Sequence, residues 1–424
     1  MNELPKLTTN GSKARKTVYF PRADGSRIPY EVYSSPEIYE LEQERIFRGP
    51  TWSFVALEAE LPNPNDFKST FVGATPMVVA RDDDNSLAGW VNRCAHRGAM
   101  VCRTARGNAR SHICAYHQWS YDTRGNLMGV PFRRGVKGSP GMPADFDLKE
   151  HGLQQLRVQS YRGLVFASFS DRAPALYDYI GPRMRPGIDR IFHKPIVYLG
   201  CTRQYAKANW KLYNENVRDP YHASLLHAFF STFNLYRAGM RFEIVTSEDG
   251  LHDYLRAFHT EDASGGAAYK DDKVSSFKEG LRLEHTSILT NVKEFDEVVN
   301  THIQPIFPQL VVTQIQNSLA VRQILPKGPG SFELIFNFFG YADDTPEMRM
   351  HRISQANLVG PAGLVSMEDA LATELVQRAT ANGNDAVSIA DMGRDAPDEE
   401  QIESGVSECH IRSFWRGYQE LMGF

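Results

Sequence analysis

Cys94-Ala95-His96-Arg97-Gly98 and, after a gap of seventeen residues from His96, Cys114-Ala115-Tyr116-His117 are the stretches from which the rest of the chain can be read. Two cysteines and two histidines arrive as a C-x-H and a C-x-x-H, each on its own short segment. Four such side chains call for a metal. Structural zinc sites accept two Cys and two His, but they usually space them C-x₂₋₄-C and H-x₃₋₅-H, pairing like with like. Here each segment mixes one thiol with one imidazole.

The mixed pattern suits a Rieske [2Fe–2S] centre, in which two cysteines hold one iron and two histidines the other. Neutral imidazoles in place of thiolates raise the potential above that of an all-cysteine cluster, so the centre passes single electrons at moderate potential. The flanks agree. Gly98 lets the backbone approach closely, and Gln118-Trp119-Ser120-Tyr121-Asp122 supplies groups able to donate towards sulfur. A zinc-binding scaffold is the structural alternative.

A chain of 424 residues exceeds what a cluster domain of roughly a hundred residues needs, so a second large unit is expected. Apolar residues at 42% and charged residues at 23% give an ordinary globular balance. A net charge of −4 argues against nucleic-acid binding by bulk electrostatics. Apolar runs such as Gly163 to Phe169 are too short to span a bilayer, and Met1 to Thr17 is polar without a signal-peptide core. Cys102, Cys201 and Cys409 suggest no disulfide framework, and a cytoplasmic protein is expected. With no flavin or NAD fingerprint, the chain should not take hydride itself.

Thr51–Leu57, Phe71–Ala80, Leu87–Asn92 and Gly163–Phe169 read as short antiparallel strands with the cysteine–histidine loops among them. Arg172 to Tyr179 reads as a crossing into a second unit. There Arg203–Tyr205, Gln309–Gln316, Ser318–Leu325 and Phe332–Tyr341 are strand-like. Val217–Phe230, Glu347–Leu358, Val365–Thr380 and Ile411–Met422 have helical spacing. The pattern alone suggests a mixed sheet with helices against it. Glu261 to Lys278, rich in Gly, Ser, Asp and Lys, reads as a mobile loop, either a pocket lid or simply solvated.

A second constellation lies in Asn214-Glu215-Asn216-Val217-Arg218-Asp219-Pro220-Tyr221-His222 and on to His227. Asp219 and His222 share a helical face at i and i+3. His227, five residues on, would be rotated roughly 140° from His222 in an ideal helix. For both to reach one metal, the helix must end, kink or bulge here. Non-haem Fe(II) oxygenases hold iron with two His and one carboxylate on one face, leaving three positions open. Glu368-Asp369 offers that carboxylate, and periodicity does not choose between the two.

On these residues the chain resembles the large subunit of Rieske non-haem iron ring-hydroxylating dioxygenases over nearly its whole length. The motifs are C-x-H…C-x-x-H, D-x-x-H-x-x-x-x-H and Gly360-Pro361-Ala362-Gly363 ahead of the late carboxylate. The resemblance implies an α+β fold: an N-terminal segment over residues 1–49 packing on the catalytic domain, an all-β Rieske domain over 50–170, and a catalytic domain over 171–424 with an antiparallel sheet flanked by helices. It implies Cys94, His96, Cys114 and His117 as cluster ligands, and His222, His227 and Asp369 as ligands of a mononuclear Fe(II), with Glu368 behind them. Asp219 would bridge His117 of the partner subunit and His222. The alternative for Asp219 is a helix N-cap. Family members often place an Asn four residues before this aspartate. Here Asn216 is three before, and it receives no role.

Arg133-Arg134-Gly135-Val136-Lys137-Gly138, Gly141-Met142-Pro143-Ala144, Gln355-Ala356-Asn357-Leu358 and Ser366-Met367-Glu368-Asp369 are similar to the branch acting on aromatic carboxylates, namely anthranilate, salicylate, halobenzoate and terephthalate. The leading expectation is 1,2-dioxygenation of anthranilate to catechol. Salicylate 5-hydroxylation, terephthalate or 2-halobenzoate dioxygenation are the rivals, and a pure electron carrier is the competitor from another class. An aromatic carboxylate needs a charge partner in an apolar pocket; Arg322 and then Arg412 are the candidates. A small β subunit in an α₃β₃ assembly, a ferredoxin and an NADH-dependent ferredoxin reductase are implied as partners.

Overall fold

In the computed structural model, residues 18–259, 266–295, 299–383, 386–395 and 405–424 are described. Residues 1–17 of the expected N-terminal segment and 261–265 of the expected loop lie outside them. The rest of that loop is not featureless, since Ala267–Asp271 forms one helical turn and a half.

The first half of the chain builds a seven-stranded sheet and a three-stranded one. The larger runs in the order Ser53–Leu57, Leu164–Ser168, Gln155–Tyr161, Leu87–Val91, Thr75–Arg81, Asp66–Val72 and Arg106–Asn108. The smaller is Ser111–Ile113, Ser120–Asp122 and Leu127–Gly129. The expected single strand Phe71–Ala80 is two strands. Gly73, with φ of 54°, makes the turn between them, and a Cβ there would meet the Phe47 ring.

The second half forms another seven-stranded sheet. Its order is Ile196–Ala206, Ser331–Tyr341, Ser318–Gly328, Leu310–Ile315, Val299–Ile306, Asp253–Phe258 and Arg241–Thr246. Every pairing is antiparallel, so the mixed sheet suggested by pattern alone gives way to an antiparallel one. Hairpins connect its successive central strands, and such connections produce antiparallel neighbours. The helix Leu176–Ile191 fills what the sequence presents as a mere crossing. Pro182 and Pro186 hide it, and Gly181, at φ 77° and ψ 160°, breaks it, with Pro182 opening the second half where a missing N–H does no harm.

The two large sheets meet face to face. Trp52, Phe54, Leu164 and Phe166 pack on Leu310, Val312, Val321 and Phe339, all buried. Burying an aliphatic or aromatic side chain contributes about 1.5–3 kcal/mol, so this seam fixes how the halves sit. Gln323 locks the register by donating to Phe54 O at 2.8 Å. On the other face of the catalytic sheet lie the helices Trp210–Asn216, Pro346–Val359, Leu364–Thr380 and Cys409–Met422. Arg27–Pro29 pairs antiparallel with Val387–Ile389, tying the beginning of the described chain to this half.

Candidate metal centres

Cys94 and Cys114 sit on loops with one shared backbone frame. Gly98 N–H donates to Cys94 O at 2.9 Å, and Cys94 N–H to Ala99 O at 2.8 Å. Gln118 N–H donates to Cys114 O at 2.9 Å, and Cys114 N–H to Trp119 O at 2.9 Å. Both loops turn through the left-handed region, at Gly98 (φ 75°) and Gln118 (φ 57°). The frame buries the two thiols and leaves the histidines at the tips only half-buried. The imidazoles of His96 and His117 lie 4.4 Å apart, and His96 stacks on Trp119 at 4.8 Å. His96 Nδ1 is buried without a hydrogen-bond partner, as a ligand atom would be.

Four residues around the loops were not picked out as site residues from sequence. Tyr121 Oη accepts from Ala95 N–H at 3.2 Å, which leaves its own proton to point at Cys94 Sγ, also 3.2 Å away. Asn92 closes the first loop, accepting from Val101 and Cys102 N–H and donating to Cys102 O. Cys102 Sγ lies 3.0 Å from His112 Nδ1. Burial pushes that thiol up to about 12 and the imidazole down to about 4, so the pair is neutral.

The second group forms where the expected helix Val217–Phe230 breaks. Asp219 caps the helix Pro220–Leu226, its Oδ1 accepting from Tyr221 N–H at 2.9 Å and His222 N–H at 3.2 Å. The helix stops at His227, whose φ of −84° and ψ of 106° are extended, before Ala228–Thr232 resumes. That break swings His227 round to His222. Asp369 projects from the buried face of Leu364–Thr380. Its helix starts after a turn at which a Cβ on Gly363 would lie 2.0 Å from Leu358 O, which is why only glycine fits there.

One donor atom from each of His222, His227 and Asp369 lies within 4.8 Å of the others. Asp369 Oδ1 is 3.4 Å from His222 Nε2 and 3.2 Å from His227 Nε2. The far nitrogens face carboxylates: His222 Nδ1 lies 3.4 Å from Asp219 Oδ2, and His227 Nδ1 2.8 Å from Glu368 Oε2. Carboxylates behind the imidazoles fix their tautomers and leave Nε2 free to face a metal. Burial would lower His222, yet Asp219 and Asp369 carry it up to about 10. Burial would raise Asp369, yet the charge of His227 and hydrogen bonds from both imidazoles hold it far below the usual carboxylate range. Two nitrogens, one ionised oxygen and anchored rings fit a mononuclear Fe(II). As a residue set, Cys94, His96, Cys114 and His117 likewise fit a [2Fe–2S] cluster.

Asn216, given no role from sequence, enters this group. Its Nδ2 donates to Asp369 Oδ1 at 2.9 Å and lies 3.2 Å from His222 Nε2. Arg322 is buried on Ser318–Gly328, 2.9 Å from Tyr213 Oη, with Nε unpartnered. Tyr213 belongs to the helix of Asn216, so Arg322 faces the element that reaches Asp369. Arg412 is placed differently. Its guanidinium donates to the carbonyls of Ala390, Met392 and Gly393, a clamp on the C-terminal helix.

Fold and site together define an electron-transfer domain joined to an oxygen-activating one, and the comparisons agree. A family model described as Rieske [2Fe-2S] domain matches residues 51–140, and one described as ring hydroxylating alpha subunit (catalytic domain) matches residues 192–423. The anthranilate 1,2-dioxygenase large subunit of Burkholderia cepacia is 64% identical over 96% of each chain. The terephthalate 1,2-dioxygenase terminal oxygenase component subunit alpha 2 of Comamonas sp. is 44% identical over 95% of this chain and 96% of its own. Naphthalene 1,2-dioxygenase from Rhodococcus sp. shares the fold at a TM-score of 0.76 and 22% identity, covering 93% of this chain and 94% of its own. The chain therefore belongs to the ring-hydroxylating alpha subunits that carry a Rieske [2Fe–2S] domain. Among the described residues no helix is long and apolar enough to cross a membrane.

Proposed function

We propose that the chain is the terminal-oxygenase large subunit that dioxygenates anthranilate at the carbons bearing the amine and the carboxylate. Anthranilate, O₂, two electrons and three protons would become catechol, CO₂ and ammonia. The observation that carries the chemistry is the meeting of His222, His227 and Asp369 in a chain that also holds a Rieske domain. Likeness to the Burkholderia cepacia subunit then narrows the substrate to anthranilate.

In this reading Cys94, His96, Cys114 and His117 hold the cluster, and His222, His227 and Asp369 hold iron. When bound, these groups supply single electrons and activation of O₂. The chain's own residues do the positioning. Glu368 fixes the His227 tautomer, Asp219 faces His222 Nδ1 as a charge partner, and Asn216 holds Asp369 Oδ1 by a charge-assisted bond. Arg322, held by Tyr213 and with a free Nε, is assigned to the substrate carboxylate. Arg412, occupied by three carbonyls, is assigned to structure.

Asp219 would also accept from His117 of the partner subunit, coupling the cluster of one copy to the iron of the next. A β subunit in an α₃β₃ assembly, a ferredoxin and an NADH-dependent reductase would complete the system. The test offers anthranilate, salicylate and terephthalate separately to the reconstituted holoenzyme with NADH. Catechol and ammonia from anthranilate support the assignment. Gentisate from salicylate with anthranilate untouched would replace it with a monooxygenase.

A further inference from the structure

Outside both metal centres but flanking the cluster loops, a cavity of about 170 Å³ opens where the cluster domain meets the edge of the catalytic sheet. Its walls come from Asp66–Val72 and the loop that follows Cys94 and His96 on one side, and from Ile196–Ala206 and Ser331–Tyr341 on the other. Lys68, Arg103, Arg106 and Arg203 line it, with Glu333 as the only lining carboxylate among the described residues.

The charges around it do not cancel. Lys68 and Arg106 share one carboxylate, Glu60. Arg203 and Lys327 share another, Glu333. Arg103, exposed on the loop, has no ion-pair partner among the described residues. Five cations thus meet two carboxylates. A partly enclosed space with surplus positive charge concentrates anions.

A separate observation sits in the same wall. Asn337 is 1% exposed, lines the cavity, and its Oδ1 has no hydrogen-bond partner. A buried amide oxygen without a donor is costly, so such atoms are ordinarily satisfied by something. Ser69 Oγ, also lining, is likewise unpartnered and can donate as well as accept.

We propose that this cleft binds a small oxyanion carrying one hydrogen-bond donor. The anion would lie against Arg103 and Arg203, and its donor would reach Asn337 Oδ1. Two sources share that chemistry: an aromatic carboxylate with an ortho amine or hydroxyl, and protonated inorganic phosphate. Cys102 lines the cleft and packs in one core with Cys94 and Cys114, so a bound anion adds negative charge beside the cluster. Added negative charge lowers a cluster's potential.

Two readouts on the holoenzyme test this. Equilibrium dialysis with labelled 2-aminobenzoate, benzoate or phosphate counts sites per chain in wild type, Arg103→Gln and Arg103→Gln/Asn337→Leu. The double variant should lose one site relative to wild type, and the single variant should weaken it roughly tenfold or more. Because the count is a difference, it holds whether or not the iron site also takes the probe. Benzoate, lacking the donor, should bind there about tenfold more weakly than 2-aminobenzoate. The arm that loses a site, organic or phosphate, identifies the source. Potentiometric titration followed by EPR should show the cluster potential falling saturably with that probe in wild type and staying fixed in the double variant. If Asn337→Leu does not fold, the exposed Arg103→Gln carries both readouts alone. Equal site counts in wild type and the double variant, an affinity unchanged by Arg103→Gln, or a potential indifferent to all three probes, overturns the proposal.

Discussion

Replacing Asp219 two ways separates the jobs that its two oxygens do. Oδ1 accepts from Tyr221 and His222 N–H at the start of a helix, and Oδ2 faces His222 Nδ1 at 3.4 Å. Asparagine caps about as well as aspartate, whereas alanine loses about 1 kcal/mol. For a domain of this size that is roughly 2–4 °C in Tm. Asp219→Asn should therefore melt within a degree or so of wild type, while Asp219→Ala melts measurably lower. Activity should not follow that order. In asparagine the second oxygen can be an NH₂, which no longer accepts a proton from His222. Losing such a partner behind a metal-binding imidazole costs on the order of 10–100-fold in affinity or activity. Both variants should show the cluster spectrum and bind iron when loaded, yet turn over at least that much more slowly. Calorimetry, iron analysis and product formation on the same preparations give the answer. An asparagine variant with normal turnover refutes the role of Oδ2; one that melts like the alanine variant refutes the cap.

Asp369→Ala should lose the mononuclear iron and leave the cluster spectrum intact by metal analysis and EPR; full iron occupancy would move the ligand role to Glu368. Tyr121→Phe removes the donor 3.2 Å from Cys94 Sγ. If that bond favours the reduced cluster by about 1 kcal/mol, the midpoint potential should fall by roughly 40 mV, and an unchanged potential would show that the proton points elsewhere. Burial pushes the Glu215 carboxyl up to about 7, against the lowering pull of Tyr33 and Trp415. Its folded form keeps a proton that the unfolded chain releases near pH 4.5, so the stability it contributes is present below about 4.5 and lost as pH rises through 7. The difference is about 3 kcal/mol. Denaturant midpoints of wild type should decline over that window relative to Glu215→Gln, and parallel profiles would contradict the assignment.

The cysteine–histidine loops were legible because metal chemistry restricts residue type and spacing together. The histidine pair was legible only as a conflict: five residues do not bring two side chains together on one helix. The extended backbone at His227 resolves it. Asn216 was missed because its contact with Asp369 crosses 153 residues, a distance that no local pattern encodes. Tyr121 stood in the flank expected to donate towards sulfur, but which of its five residues does so was not legible, since the sulfur it faces lies 27 positions earlier. Arg322 and then Arg412 were the candidates for the substrate carboxylate. What separates them is the neighbours that folding supplies, a phenol in one case and backbone carbonyls in the other.

The paired frames around Cys94 and Cys114 bear on what can vary around the cluster site. Each loop is closed by two bonds between its own peptide groups, none of which involves a side chain that would touch iron. Part of the shape of the receptacle is therefore carried by peptide groups that are the same whatever residues flank them. Substitutions at the neighbouring side chains would tune what the socket holds while its outline is kept by the backbone.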